Sequence, residues 1–377
     1  MIYRDFQDIR LSALGFGAMR LPVIGGDDSR IDEAAALRMV DTAMASGINY
    51  YDTAWGYHGE NSELVMGRAL ARYPRDSFYL ATKFPGYDAS NWGKVEEIFE
   101  RQLRKLNVDY FDFYLFHNVC EMNIDAYLDD EKYHIYSYLM EQKRNGRIRH
   151  LGFSCHGGMP VLRRFLEAYG KDMEFCQLQL NFLDWTFQNG KEKVDLLNER
   201  KIPVWVMEPL RGGKLARLAP EYERELKALR PDEEIPAWSF RFLQSIPGVT
   251  VILSGMSSHE QLEKNLVTFA EEKRLTAAET DTLMGIARKM LSVGTVPCTA
   301  CHYCVSHCPM GLDIPHLLSL YNEHAYTGGG FIAPMALSAL PADKLPSACL
   351  QCRSCEQVCP QQIRISEVLA DFSAKLG

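Results

Sequence analysis

Short apolar runs alternate with stretches of helical period over most of the chain. Runs rich in Ile, Val, Leu, Phe and Tyr cover 14–19, 48–52, 78–82, 111–116, 148–154, 175–180, 203–207 and 249–253. Such short, continuous runs read as strands buried on both faces. Helical patterns lie between them, as at 31–46 and 95–106. The first carries Ala34, Leu37, Val40 and Met44 on one face, and Gly47 follows as a C-terminal stop. Eight strand–helix repeats in about 290 residues predict an α/β fold, a (β/α)8 TIM barrel. A doubly wound sheet is the competing arrangement, but Gly15-Phe16-Gly17-Ala18-Met19-Arg20 lacks the third glycine of its dinucleotide fingerprint. Residues 3–11 read as a short hairpin ahead of the first barrel strand.

At 377 residues the chain has room for two or three domains, or for one large barrel with an appendix. Its 47% hydrophobic and 24% charged residues are ordinary for a globular protein and exclude disorder and coiled coil. Forty-one Lys and Arg against 49 Asp and Glu leave a net charge of −8, a poor match to nucleic-acid phosphates. No run of ~18 apolar residues is present to span a bilayer, and MIYRDFQDIR lacks the apolar stretch of a signal peptide. These features predict a cytoplasmic protein with no nucleic-acid or membrane partner.

Cysteine changes the picture. Of eleven, only Cys120, Cys155 and Cys176 precede the eight that fall between Cys298 and Cys359. Bunched thiols in a chain with no export signal favour metal ligation over a disulfide scaffold. The break at about Val293 predicts two domains, 1–292 and 293–377.

In a barrel of this kind, polar residues closing the strands are the first catalytic candidates. The second run ends in Asp52-Thr53-Ala54-Trp55-Gly56-Tyr57, the third in Lys83 and the fourth in His117. Together with GFGAMRLP, YDTAWGYHGENSE, ATK, LFHN and the final ILSG, they make the chain resemble the aldo-keto reductase family over roughly residues 10–270. The resemblance implies a tetrad. Tyr57 would be the general acid that protonates a carbonyl oxygen, Lys83 a nearby cation, Asp52 the holder of that Lys, and His117 the residue that orients the carbonyl. A tyrosine titrates near ~10 when unperturbed, so the adjacent cation is expected to lower it.

The same resemblance implies a site for NAD(H) or NADP(H). Ser154 and Gln177 would grip the carboxamide, with Cys155 standing where the family usually has Asn. Met207 would lie on the nicotinamide ring, and Pro209, Leu210 and Gly212 would bring a glycine-rich loop to the pyrophosphate. Ser254, Gly255, Ser257, Gln261 and Asn265 would face the adenosine half. Lys264 is the nearest base there, which predicts weak NADP discrimination and a preference for NAD(H). Trp55, Trp92, Asn118, Asn181 and Trp185 are candidates for an aromatic mouth around a small-molecule carbonyl substrate: an aldehyde, ketone or sugar.

Cys298, Cys301, Cys304 and Cys308 are spaced C-x2-C-x2-C-x3-C before Pro309, and Cys349, Cys352, Cys355 and Cys359 repeat this before Pro360. This is the spacing of bacterial ferredoxin modules, in which the fourth Cys of each run reaches the other cluster. It predicts two [4Fe-4S] clusters, one on Cys298, Cys301, Cys304 and Cys359, the other on Cys349, Cys352, Cys355 and Cys308. Two zinc sites are the alternative, although structural zinc usually takes paired C-x2–4-C ligands. Helical patterns at 314–324 and 365–376, with a break at 328–330, predict a small, mainly helical ferredoxin-like domain. His302 and His307 are surplus to eight thiolates and read as surface residues. The chain thus resembles the aldo-keto reductases that carry a C-terminal ferredoxin-like domain, which implies a NAD(P)H-dependent oxidoreductase interconverting carbonyl and alcohol. Two alternatives stand beside it: electron exchange with ferredoxin or a flavoprotein through the clusters, or a non-catalytic nucleotide-sensing subunit.

Overall fold

The computed structural model describes every residue except Val293, Thr299 and Gly377. A hairpin opens the chain, β1 (Tyr3–Phe6) running antiparallel to β2 (Ile9–Ser12). Then follow β3 (Leu14–Gly17), β4 (Tyr50–Asp52), β5 (Tyr79–Phe84), β6 (Phe111–Val119), β7 (Ile148–Cys155), β8 (Cys176–Gln179), β9 (Val204–Met207) and β10 (Val249–Ser254). Among the described residues these eight strands close into a barrel in the order β10-β3-β4-β5-β6-β7-β8-β9. Every pairing around it is parallel. The alternation along the chain therefore builds a barrel with helices between its strands, not an open doubly wound sheet.

Strand lengths follow their neighbours rather than the apolar runs. The first run extends to Met19, yet β3 stops at Gly17 and Ala18–Arg20 coil into a 3-10 turn. The ladder partners of its last residues are Ser254 and Asp52, which themselves end β10 and β4. Beyond them there is nothing to pair with.

Side chains pointing inward fill the barrel with Tyr50, Ala81, Phe113, Leu115, Phe175, Trp205, Val251 and Leu253. Phe6 and Leu11 of the hairpin join that cluster, with the Phe6 ring edge-on to Trp205 at 5.0 Å. The expected hairpin is thus a plug in the N-terminal end of the barrel. Buried polar groups gather at the other end: Asp52, Lys83 and Ser154 lie in the last two positions of β4, β5 and β7, and Gln177 of β8 is paired with Ser154. Polar groups hidden at one end of an otherwise apolar core mark the place where a (β/α)8 barrel carries its chemistry.

The chain divides into two compact units, Met1–Met284 and Gly285–Gly377, with the division inside the helix Ala277–Leu291. The composition break at Val293 falls on a residue outside the described ones. In the second unit the helices Ile314–Thr327, Ile332–Ser338 and Ile365–Leu376 pack around Leu312, Ile314, Leu317, Leu318, Leu337, Leu369 and Phe372. Asp313 caps the first of these by accepting from the His316 amide, and Gly328 ends it at φ +67. Among the described residues this unit holds no strand, and no helix of the chain is long and apolar enough to cross a membrane.

Candidate active site

Three strand ends and one loop bring Asp52, Tyr57, Lys83 and His117 together. Lys83 Nζ donates to Asp52 Oδ1 at 2.6 Å and to the Thr53 carbonyl at 2.8 Å, and both charged groups are buried. The Lys83 ammonium stands 5.1 Å from the centre of the Tyr57 ring. The His117 ring meets Tyr57 nearly edge-on at 6.0 Å.

Burial dominates the electrostatics of this cluster. It pulls Asp52 up and Lys83 down, and each partly offsets the shift of the other. His117 is held well below the usual imidazole value, first by burial and then by the charges of Lys83 and His156. Its Nδ1 has no hydrogen-bond partner among the described residues. Tyr57 is pushed well above 10 by burial, then by the charges of Asp52 and Glu208. The lowering expected from Lys83 is overturned because burial and two carboxylates outweigh it.

The proposed cofactor residues follow the strand ends. Ser154 and Gln177 are ladder partners across β7 and β8 and are both buried. Ser154 Oγ accepts from the Asn118 amide at 2.7 Å, while Gln177 Oε1 has no partner among the described residues. Cys155 is buried with its thiol toward the Gly157 carbonyl, and burial pushes it up to about 12. Met207 ends β9 beside Gln179, two register positions beyond the Gln177–Trp205 pair. The Pro209 carbonyl accepts from Ser239, Leu210 is half-buried, and Gly212 turns the loop at φ +65. At the end of β10, Asn265 Nδ2 donates to Ser254 Oγ at 3.0 Å. Gln261 Oε1 accepts from the Ser257 amide at 2.8 Å, and Gly255 lies exposed beside them. Lys264 is paired at 2.8 Å with Glu260 on its own helix.

Trp55 does not join the expected aromatic mouth. Trp55 is buried beneath Arg101 and Lys105, each 4.7 Å from its ring, so it faces the helix Val95–Leu106. Trp92 donates to the Gly86 carbonyl and packs on Tyr133, and Trp185 packs on Phe242. Asn181 ties Asp184 to the Glu208 carbonyl, and Asn118 serves the site through its backbone. Tyr87 instead faces His117, edge-on at 5.1 Å.

In the second unit one pocket is lined by Cys298, Cys301, Cys304 and Cys359, walled by Pro315, Leu318, Ile363 and Ile365. Cys355 lies within electrostatic reach of Cys349 and Cys308. Cys352 is exposed. The fourth thiol of each run thus sits with the other run. Among the described residues no three Cys, His, Asp or Glu side chains close on a single-ion position, as tetrahedral zinc requires.

A model described as the Aldo/keto reductase family matches residues 13–288, and one described as a 4Fe-4S dicluster domain matches residues 297–363. The chain belongs to the aldo/keto reductase family. Among its relatives, the uncharacterized oxidoreductase YqkF of Bacillus subtilis is 26% identical over 303 residues, covering 72% of this chain and 91% of its own. An NADH-specific methylglyoxal reductase of Escherichia coli is 26% identical over 305 residues, covering 69% and 90%. The holo form of aldo-keto reductase AKR11C1 from Bacillus halodurans superposes with a TM-score of 0.59 at 26% identity, over 76% of this chain and 96% of that one.

The residues present fit both groups that such a reductase with a 4Fe-4S domain implies. For a nicotinamide, buried Gln177 keeps an unpartnered amide oxygen beside Ser154, and a Cβ on Gly17 would come within 3.2 Å of the Ser254 carbonyl. For a cluster, four thiols share one apolar-walled pocket. Two residues beside the reductase site escaped the sequence reading: Tyr87, against His117, and Glu208, whose charge acts on Tyr57.

Proposed function

We propose that the barrel reduces a carbonyl to an alcohol at the Tyr57–Lys83–Asp52–His117 site, and that residues 293–377 carry two [4Fe-4S] clusters on the crossed cysteine sets. Bound NAD(P)H would supply the hydride to the carbonyl carbon. The chain's own residues do the rest. Tyr57 stays protonated at neutral pH because its acidity is so low, and it passes that proton from Oη to the carbonyl oxygen. Lys83, held by Asp52, steadies the phenolate left behind. Neutral His117 offers its ring as a hydrogen-bond partner that orients the carbonyl. Ser154, Gln177 and Met207 would hold the nicotinamide, with Pro209, Leu210, Gly212, Ser254, Gly255, Ser257, Gln261 and Asn265 along the rest of the dinucleotide. The observation that carries the reading is the buried Lys83–Asp52 pair beneath the Tyr57 ring. It is a costly arrangement in a barrel core and gives a proton donor a fixed cation. A small 2-oxoaldehyde is the first substrate to try, given the methylglyoxal reductase among the relatives.

Exposure of Cys301 and Cys352 favours a second reading, in which the clusters exchange electrons with a ferredoxin or flavoprotein. One anaerobic experiment addresses both. Cluster-loaded protein is given NADH or NADPH, with and without a carbonyl panel, and followed by nicotinamide absorbance and EPR. Nicotinamide oxidation that needs a carbonyl, and that falls by ~10²–10⁴-fold in Tyr57→Phe while NADH still binds, is the expected result. Full turnover in Tyr57→Phe would overturn the assignment of the acid. Cluster reduction by NADH alone would establish the second reading.

A further inference from the structure

We infer that Glu63 is a positioning residue for Lys83: with Lys105 as its counter-ion, it fixes the Lys83 backbone and holds the ammonium charged beneath Tyr57. The inference rests on the Tyr57 reading above. Glu63 lies in the first turn of the helix Ser62–Leu70 and is fully buried. Its Oε1 accepts from Thr82 Oγ1 at 2.7 Å and from Gln102 Nε2 at 2.8 Å, and Lys105 Nζ stands 2.8 Å from its Oε2. Gln102 Nε2 also donates to the Lys83 carbonyl at 3.0 Å, and Gln102 Oε1 accepts from Tyr114 Oη at 2.7 Å. Glu63 thus holds Thr82 directly and the carbonyl of Lys83 through Gln102.

Gly67 lets the two helices come this close. A Cβ there would run into the Lys105 carbonyl oxygen and stand 2.9 Å from Leu106 Cα, so the helix Ser62–Leu70 presses on the helix Val95–Leu106 backbone to backbone. Glu63 and Gly67 are four residues apart, and Gln102 and Lys105 three, which puts each pair on one helix face. The contact closes a carboxylate and an ammonium away from water, their side chains 0% and 7% exposed.

Packing alone does not call for a buried ion pair, because apolar side chains of similar volume fill such a space without desolvating two charges. What the pair adds is a fixed charge beside the site. Burial pulls Lys83 down, and the charges of Asp52 and then Glu63 push back. Glu63 faces Lys105, Lys83, Tyr114 and Tyr87. Tyr57 faces Lys83, His117 and Tyr87, with Asp52 and Glu208 as the carboxylates that raise it. Lys105 has Glu63 on one side and the Trp55 ring on the other, while Arg101 beside it is paired with Glu60. Loss of the Glu63 charge therefore eases the loss of a proton from Lys83, and from Tyr57 above it. Both groups titrate as one system, and the change moves their alkaline transition to lower pH.

The test is the alkaline fall of carbonyl reduction, followed as kcat against pH on full-length, cluster-loaded protein under anaerobic conditions, with NADH and the fastest carbonyl of the panel. Glu63→Gln keeps the shape and removes the charge, and should bring the fall down by about one pH unit. Glu63→Asp keeps the charge and shortens the reach, so kcat should drop while the fall stays near its wild-type pH. The double variant Glu63→Gln with Lys105→Met leaves no buried charge unpaired and guards against a single variant that does not fold. It should show the same downward move. The inference is overturned if the fall stays put in the double variant, however much kcat or stability declines. It is overturned equally if Glu63→Asp moves the fall as far as Glu63→Gln. A wild type that reduces no carbonyl, or full turnover in Tyr57→Phe, would bring down the Tyr57 reading itself, whatever Glu63 does.

Discussion

Tyr57 is the residue at which burial and charge disagree most with a reading of neighbours along the chain. Its phenol is pushed well above 10, and His117 is held well below 6.5. Both groups therefore keep one protonation state across the neutral range. Carbonyl reduction, which needs the phenol, should hold a level kcat from about pH 6 to about pH 9. Alcohol oxidation needs the phenolate and should climb as pH rises toward the Tyr57 value. A pH–kcat series in both directions checks this, and an alkaline fall of the reductive rate near pH ~7 would refute it. Asp52, Lys83 and His117 were legible because polar residues closing apolar runs stand out. Tyr87 and Glu208 were not, since each acquires its place from a neighbour on another loop.

The strand-forming runs were all legible as elements, and their ends were not, because a strand continues only while its neighbours offer ladder partners. The opening hairpin shows the same limit. Its existence could be read from residues 3–11, but its place could not: it stoppers the barrel by setting Phe6 against Trp205 and Phe113. Phe6→Ala should destabilise the barrel by about 3–5 kcal/mol, read by denaturant melts, with Lys83 and Asp52 at the far end unaffected. A loss under ~1 kcal/mol would show that the plug is superficial. Trp55 departs from its expected place for a related reason. A loop residue's side chain turns toward whichever helix covers it, and the apolar pattern does not record which face that is.

Over the whole molecule, the cysteine runs predict a crossed pairing, and the two thiol groupings of the second unit agree with it. Paired variants separate it from sequential pairing. Cys298→Ala with Cys359→Ala should damage one cluster and leave about four irons per chain. Cys298→Ala with Cys308→Ala should damage both and leave almost none. The reverse outcome by iron assay and EPR would establish sequential ligation. Fold class, the tetrad candidates and the eight thiolates could all be read from the chain, because periodicity and ligand spacing are properties of short segments. The acidity of Tyr57 and the plugged floor came only with folding. Barrel closure pairs β3 with β10, far along the chain. Burial and cross-barrel proximity are set by that closure, and no local pattern encodes them.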